Sequence, residues 1–203
     1  MFMEYLKEKK EIILNRELNE LDKFVLDFCN LLEDYVIVSG YVSILFGRSR
    51  STEDVDLLVP KMNFEKFDKL WKNFEKNGFE CINTTDPREG FKMLNEYAIR
   101  FFKKKSIPNM EFKMIKTDFD EYSFKNKIKV IINKEVLFVS PLEMQIAFKL
   151  FLAADGTKEE LGADKDIEDA RYIYKLFEDK IDKDELLKIA NKLDIIKKLE
   201  WLK

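Results

Sequence analysis

VSGYVSILFGRSRSTEDVDLLV, residues 38–59, is the stretch from which the rest of the chain can be read. A β-branched and aromatic run at 35–38 ends at Ser39 and Gly40, 42–46 has helical character closed by Gly47, and 48–53 is a polar link. A second apolar strand covers 55–59 and stops at Pro60, which has no N–H for a ladder. Side chains at i and i+2 of a strand share a face, so Asp54 and Asp56 project together while Val55, Leu57 and Val59 face the opposite way. Two carboxylates held that close repel unless a cation lies between them. A hard ion such as Mg²⁺ meets protein through one or two carboxylates while phosphates and water complete its shell. The pair therefore points to a phosphate-handling metal site.

The D-x-D spacing recurs at Asp118/Asp120, Asp164/Asp166 and Asp182/Asp184, so spacing alone decides little in this acidic-rich chain. Context separates the first pair: a strand ending in glycine, a short helix, a turn carrying Arg48 and Arg50, then a strand beginning on the pair. Gly40 at a strand-to-helix junction lets backbone N–H groups approach a phosphate. The chain has no G-x-x-x-x-G-K-[ST] and no G-x-G-x-x-G, which excludes a P-loop and the ordinary dinucleotide fingerprint.

Composition narrows the chemistry further. The 203 residues include no histidine, which removes zinc-His sites, Ser-His-Asp catalysis and imidazole acid-base work. Cys29 and Cys81 form no C-x-x-C pattern, and Cys29 reads as a small apolar core residue. Carboxylates and metal ions are the remaining catalytic equipment. The 36 basic and 39 acidic residues give a net charge of −3, so any nucleic-acid contact has to come from a local patch such as Lys103–Lys105 or the lysines at 125–129. No run reaches membrane-spanning length and the amino terminus lacks a signal-peptide core, so the expectation is a cytoplasmic protein without membrane contact.

Helical spacing at 3–33 predicts one or two amphipathic helices packing on the core. Amphipathic spacing over 63–77, stopped at Asn77-Gly78, predicts another helix. Short strands are expected at 79–82, 98–102, 110–115, 128–132 and 136–139, the last four as two hairpins, with a turn and short helix at 86–94. Ser140 as N-cap, with Pro141 and Glu143 behind it, opens a helical region with helices over 142–154, 166–177 and 183–193. The expected organisation is α+β: helices over 1–33, a mixed β-sheet domain over 34–139 with flanking helices, and a helical carboxy-terminal domain over 140–203.

Gly40, Asp54 and Asp56 in this arrangement resemble the DNA polymerase β-like nucleotidyltransferase superfamily, whose hallmark is a strand, a Gly-Ser or Gly-Gly at a helix start, a D-x-D opening the next strand, and a third carboxylate on a later strand. The segment VSPLEMQIAFKLFLAADGTKEELGADKDIEDARYIY is similar to the helical part of abortive-infection-type, toxin-like members. The resemblance implies a nucleotidyltransferase-like fold and transfer of a nucleoside monophosphate from a nucleoside triphosphate (NTP) to a hydroxyl. It implies Asp54, Asp56 and Glu111 as catalytic, metal-binding residues for Mg²⁺ or Mn²⁺. It further implies Gly40 along the phosphates, Arg48 or Arg50 against phosphate charge, and Lys149 with Asp166 at the nucleotide, Asp169 belonging to the same motif. The partners it implies are the triphosphate, an RNA end or protein hydroxyl as acceptor, and an antitoxin protein.

Tyr41 departs from the pattern, standing where Ser or Gly is usual. It would contribute a hydroxyl, stack on a base, or mark a degenerate fold kept as a binding module. For Glu111 the competing reading is a surface glutamate, for the arginines a solvated turn, and for Lys149 a lysine snorkelling from a core face. A plain helical adaptor would explain the carboxy-terminal helices and leave the stretch from Gly40 to Asp56 unexplained.

Overall fold

The computed structural model describes residues 2–103, 108–154 and 164–202. Its strands are β1 (Phe2–Leu6), β2 (Glu11–Asn15), β3 (Val36–Val38), β4 (Asp54–Val59), β5 (Phe79–Cys81), β6 (Ile99–Lys103), β7 (Asn109–Met114), β8 (Ile128–Ile132) and β9 (Glu135–Val139). Among the described residues they form one nine-stranded mixed sheet in the order β1-β2-β8-β9-β3-β4-β7-β6-β5. Helices α1 (Glu20–Cys29), α2 (Gly40–Leu45), α3 (Phe64–Lys76), α4 (Pro87–Glu96) and α5 (Asp118–Lys125) flank the sheet, and α6 (Leu142–Leu152), α7 (Lys165–Leu176) and α8 (Lys183–Lys192) follow it. This is the α+β architecture expected from the sequence. No helix among the described residues is long and apolar enough to cross a membrane.

The middle of the sheet positions the site. β4 runs antiparallel to β3 and parallel to β7, with Asp54 opposite Asn109 and Asp56 opposite Glu111. Alternation then sorts the side chains. Val55, Leu57, Met110 and Phe112 are fully buried on one face, against an aromatic cluster in which Phe28 stacks on Phe74 at 4.5 Å and Phe74 meets Phe101 at 4.7 Å between ring centroids. Each fully buried side chain of this size contributes roughly 1.5–3 kcal/mol, so the apolar face fixes β4 and β7 firmly. The opposite face carries the charges.

The other D-x-D pairs sit at helix starts, where carboxylates accept backbone N–H bonds. Asp120 completes a capping box with Thr117 at α5, Asp164 caps α7 and Asp182 caps α8. Asp54 and Asp56 lie within a strand instead, which gives the sequence context a physical meaning.

Three local expectations are corrected. Residues 2–15 form a hairpin rather than a helix, and only Glu20–Cys29 is helical in the amino-terminal part. Ile12 and Leu14 pair with Val130 and Ile132 of β8, so extending the sheet buries them more completely than a helical face would. Helix α5 was not anticipated, although its Thr117-to-Asp120 capping box is legible in the sequence. Ser140 does not cap α6. The N-cap residue is Pro141, Ser140 donates to Gln145 Oε1 at 2.8 Å, and Glu143 accepts from the Asp182 N–H at 2.8 Å. One hydrophobic cluster extends from Ile12 to Leu202, joining the helical region to the sheet.

Candidate functional site

Asp54, Asp56 and Glu111 share the polar face of β4 and β7, with Asp56 and Glu111 in direct register. Lys113, two residues beyond Glu111 on the same face, places its ammonium 2.8 Å from Asp56 Oδ1 and 2.5 Å from Glu111 Oε1. Arg100 on β6, in register with Glu111, donates to Oε2 at 2.6 Å. Burial and the neighbouring charges of Asp56 and Glu111 raise the Asp54 carboxyl above its usual range. For Glu111, burial pushes upward, but the bonds and charges of Lys113 and Arg100 outweigh it and hold the carboxyl low. For Lys113, burial pulls downward, and Asp56 and Glu111 outweigh it and raise the ammonium. A cavity of about 280 Å³ opens on this face, lined in part by Ser39, Asp56, Lys113, Phe119, Met144 and Phe148. A larger cavity of about 800 Å³ lies beside Val59 and Pro60, at the other end of β4, and includes none of the site residues expected from the sequence.

At the junction of β3 and α2 the residue with unusual backbone is Ser39, at φ 64° and ψ −141°, a region that favours glycine. Gln145 of α6 holds it there. Its Oε1 accepts from the Ser39 N–H at 3.0 Å and its Nε2 donates to the Ser39 carbonyl. The pair at the helix start is therefore Ser39-Gly40 rather than Gly40-Tyr41. Gln145→Ala would leave both Ser39 backbone groups without these partners and is expected to lower stability by about 2–4 kcal/mol. Ser39→Gly, which removes the strain, should recover part of that loss in the double variant, as read from urea unfolding of all four members of the cycle.

Tyr41 is directed away from the site. Its ring is fully buried and its hydroxyl donates to Asp22 Oδ1 at 2.8 Å, where Asp22 also pairs with Arg16. Burial, then the Asp22 carboxylate, push the phenol well above its usual range and keep it a donor. Tyr41→Phe should cost about 2 kcal/mol in urea unfolding and leave calorimetric triphosphate binding unchanged.

The remaining expected contacts form one ion network. Asp169 of α7, fully buried, accepts from Arg50 Nε at 3.0 Å and Nη2 at 2.8 Å and from Arg48, and forms an ion pair with Lys149 Nζ at 3.1 Å. Lys149, only 3 % exposed, also pairs with Asp166 at 2.6 Å. The close approach at Gly40 is made by Arg50, since a Cβ on residue 40 would run into its guanidinium. Arg48 and Arg50 thus tie the segment leading into β4 to α7 and, through Lys149, to α6.

Alternation along 110–115 puts Lys113 on the Glu111 side of its strand, as the structure has it, whereas sequence reasoning missed its contact with Asp56 and missed Arg100 and Gln145 as site neighbours. Gln145 is the only glutamine in the chain and sits in an apolar run, which was a usable signal. The place of Arg100 and the contact of Lys113 with Asp56 depend on strand register. The basic runs are engaged elsewhere: Lys103 pairs with Asp27, Lys125 with Glu121, Lys127 with Asp34 and Lys129 with Glu11. Lys104 and Lys105 lie outside the described residues, as do residues 155–163 of the helical motif.

Among the described residues no three acidic or cysteine side chains stand close enough together to enclose a metal ion as they lie. The donor chemistry nevertheless fits a hard divalent cation. All three candidate ligands are carboxylates on one face, the oxygen donors that such an ion prefers. The Lys113 ammonium lies between two of the three.

No protein-family profile matches the sequence, and no curated protein matches it. Among solved structures, the chain is similar to an antigenic nucleotidyltransferase-like protein from Paracoccidioides brasiliensis, at 17 % identity and a TM-score of 0.49 over 87 % of this chain and 88 % of that one. It is also similar to ANT(2")-Ia in complex with adenylyl-2"-tobramycin, at 14 % identity and a TM-score of 0.53 over 86 % of this chain and 95 % of that one. The chain shares its overall fold with the second of these structures.

Proposed function

We propose that this chain is a metal-dependent nucleotidyltransferase that moves a nucleoside monophosphate from a nucleoside triphosphate to a hydroxyl acceptor. The observation that carries the reading is the in-register pair Asp56 and Glu111, with Asp54 two residues back, on the sheet face that opens into the 280 Å³ cavity. Carboxylates gathered on one face repel one another unless cations lie among them. A fold that gathers three carboxylates on one face serves cation binding better than it serves stability.

In the reaction the acceptor hydroxyl gives up its proton to solvent as its oxygen bonds to the α-phosphorus, the bond between that phosphorus and the α–β bridging oxygen breaks, and pyrophosphate leaves with the electron pair. Asp54, Asp56 and Glu111 would hold Mg²⁺ or Mn²⁺, which when bound supplies charge neutralisation at the phosphates and acidifies the attacking hydroxyl. The chain's own contribution is positional. The buried face of β4 and β7 fixes the carboxylates, Gln145 fixes the Ser39-Gly40 turn beside them, and Phe119, Met144 and Phe148 give the cavity an apolar wall that limits water. Arg50 packs over Gly40 at this junction and would lend its charge to a phosphate held there. An RNA end or a protein hydroxyl is the acceptor we favour, in keeping with the toxin-like motif at Lys149, Asp166 and Asp169. The binding-module alternative rested on Tyr41, and a tyrosine buried against Asp22 gives it no support.

Calorimetric titration of each triphosphate with Mg²⁺ into the wild type and the Asp54→Asn/Asp56→Asn variant tests the reading. The expected result is metal-dependent binding that the variant loses. A folded wild type that binds no triphosphate would overturn it.

A further inference from the structure

Glu111 has both carboxylate oxygens engaged, Oε1 by Lys113 and Oε2 by Arg100, and the same Lys113 ammonium holds Asp56 Oδ1. Two of the three candidate ligands are thereby bridged by one flexible cation of the chain itself. The tether is built into the strand, because Glu111 and Lys113 alternate onto the same face and Lys113 stands opposite Leu58, next along from the Asp56–Glu111 pair. An inorganic cation entering between Asp56 and Glu111 meets a like charge within hydrogen-bond distance of both. The Lys113 side chain is 34 % exposed, and Lys113 also lines the adjacent cavity, so the four-carbon stem has somewhere to turn.

We propose that Lys113 is an internal counter-cation that competes with the divalent ion for Asp56 and Glu111 and yields its place when an anionic triphosphate in the cavity offers its ammonium a new partner. This rests on the reading of the carboxylates as a metal site and adds a regulatory device to it. Metal alone binds weakly, metal together with triphosphate binds well, and the charged site is kept neutralised between turnovers. Lys113 is a positioning residue on this account. Arg100 remains on Glu111 Oε2 from the neighbouring strand and orients that carboxylate throughout.

Mn²⁺ binding in the absence of nucleotide, followed by electron paramagnetic resonance, tests this without reference to turnover. The samples are wild type, Lys113→Met, Lys113→Arg and Asp54→Asn/Asp56→Asn. Lys113→Met should bind Mn²⁺ at least tenfold more tightly than wild type, and Lys113→Arg, which keeps the charge, should stay within about threefold of it. Thermal unfolding gives a second readout, because a ligand that binds only the folded state raises the midpoint. Mn²⁺ should raise that of Lys113→Met more than that of wild type. If Lys113→Met and wild type bind Mn²⁺ equally well and the double Asn variant does not bind it, the competition is overturned and the metal site stands. If folded Lys113→Met binds no Mn²⁺ at all, both the competition and the metal site are overturned.

Discussion

Asp56→Asn is expected to lower nucleotidyl transfer by at least about 10³-fold, well beyond the 10- to 100-fold cost typical of groups that only support a ligand. Asp56 stands at the centre of the site, between Asp54 on its own strand and Glu111 across the β4–β7 pair, and it is one of two anchors for Lys113. Asparagine keeps the shape and loses the charge. Because Asp56 is on the partly exposed polar face, the unfolding transition should move by no more than about 1 kcal/mol. A turnover assay with labelled triphosphate, run beside urea unfolding of the same preparation, separates the two effects. Activity retained in the folded variant would rule out the mechanism.

The second large effect concerns stability. Asp169 is fully buried and faces Arg48, Arg50 and Lys149, of which Lys149 is itself nearly inaccessible. Asp169→Asn leaves three cations facing one another with Asp166 as the remaining nearby acid. Breaking a buried ion cluster from one side costs about 3–5 kcal/mol, a fall of roughly 6–20 °C in the unfolding midpoint for a chain of this size. Asp166→Asn, at a more exposed carboxylate contacting only Lys149 in this cluster, should cost less. Burial alone would raise the Asp169 carboxyl. The Arg50 bonds, the Lys149 and Arg50 charges and the Arg48 bond outweigh it and hold the group below its ordinary value. A carboxyl lowered by folding contributes its full stability above the unfolded value of about 3.9 and loses it as the pH falls through the folded value. The stability gap between wild type and Asp169→Asn should therefore be constant down to about pH 4 and narrow below it.

What could be read from the sequence is what local physics controls. Alternation placed Asp54 and Asp56 together on β4, and glycine, proline and capping residues marked most element ends. The amino-terminal hairpin is not legible locally, because Ile12, Ile13 and Leu14 satisfy a helical spacing as well as a strand, and only the presence of β8 beside them decides. Tyr41 stands one residue past the turn, and the positive φ of Ser39 that sets the turn is a backbone property with no glycine to announce it. The pairing of Asp56 with Glu111, and the placement of Lys113 against both, depend on the register of two strands far apart in sequence. The burial of Asp169 beneath two arginines and a lysine required α7 to dock on the segment before β4, and no spacing rule contains that information.

The parallel pairing of β4 with β7 has a consequence for how the molecule comes together. Lys113 and Asp56 are 57 positions apart, and helices α3 and α4 with strands β5 and β6 must be threaded between them before the two strands can meet. Contacts of such long range close late in folding, after the local hairpins and helices. The mutually repelling carboxylates are thus brought face to face only when the aromatic layer beneath them has consolidated. In refolding, competence to bind a cation should be the last property to return, after helical content and core fluorescence have recovered.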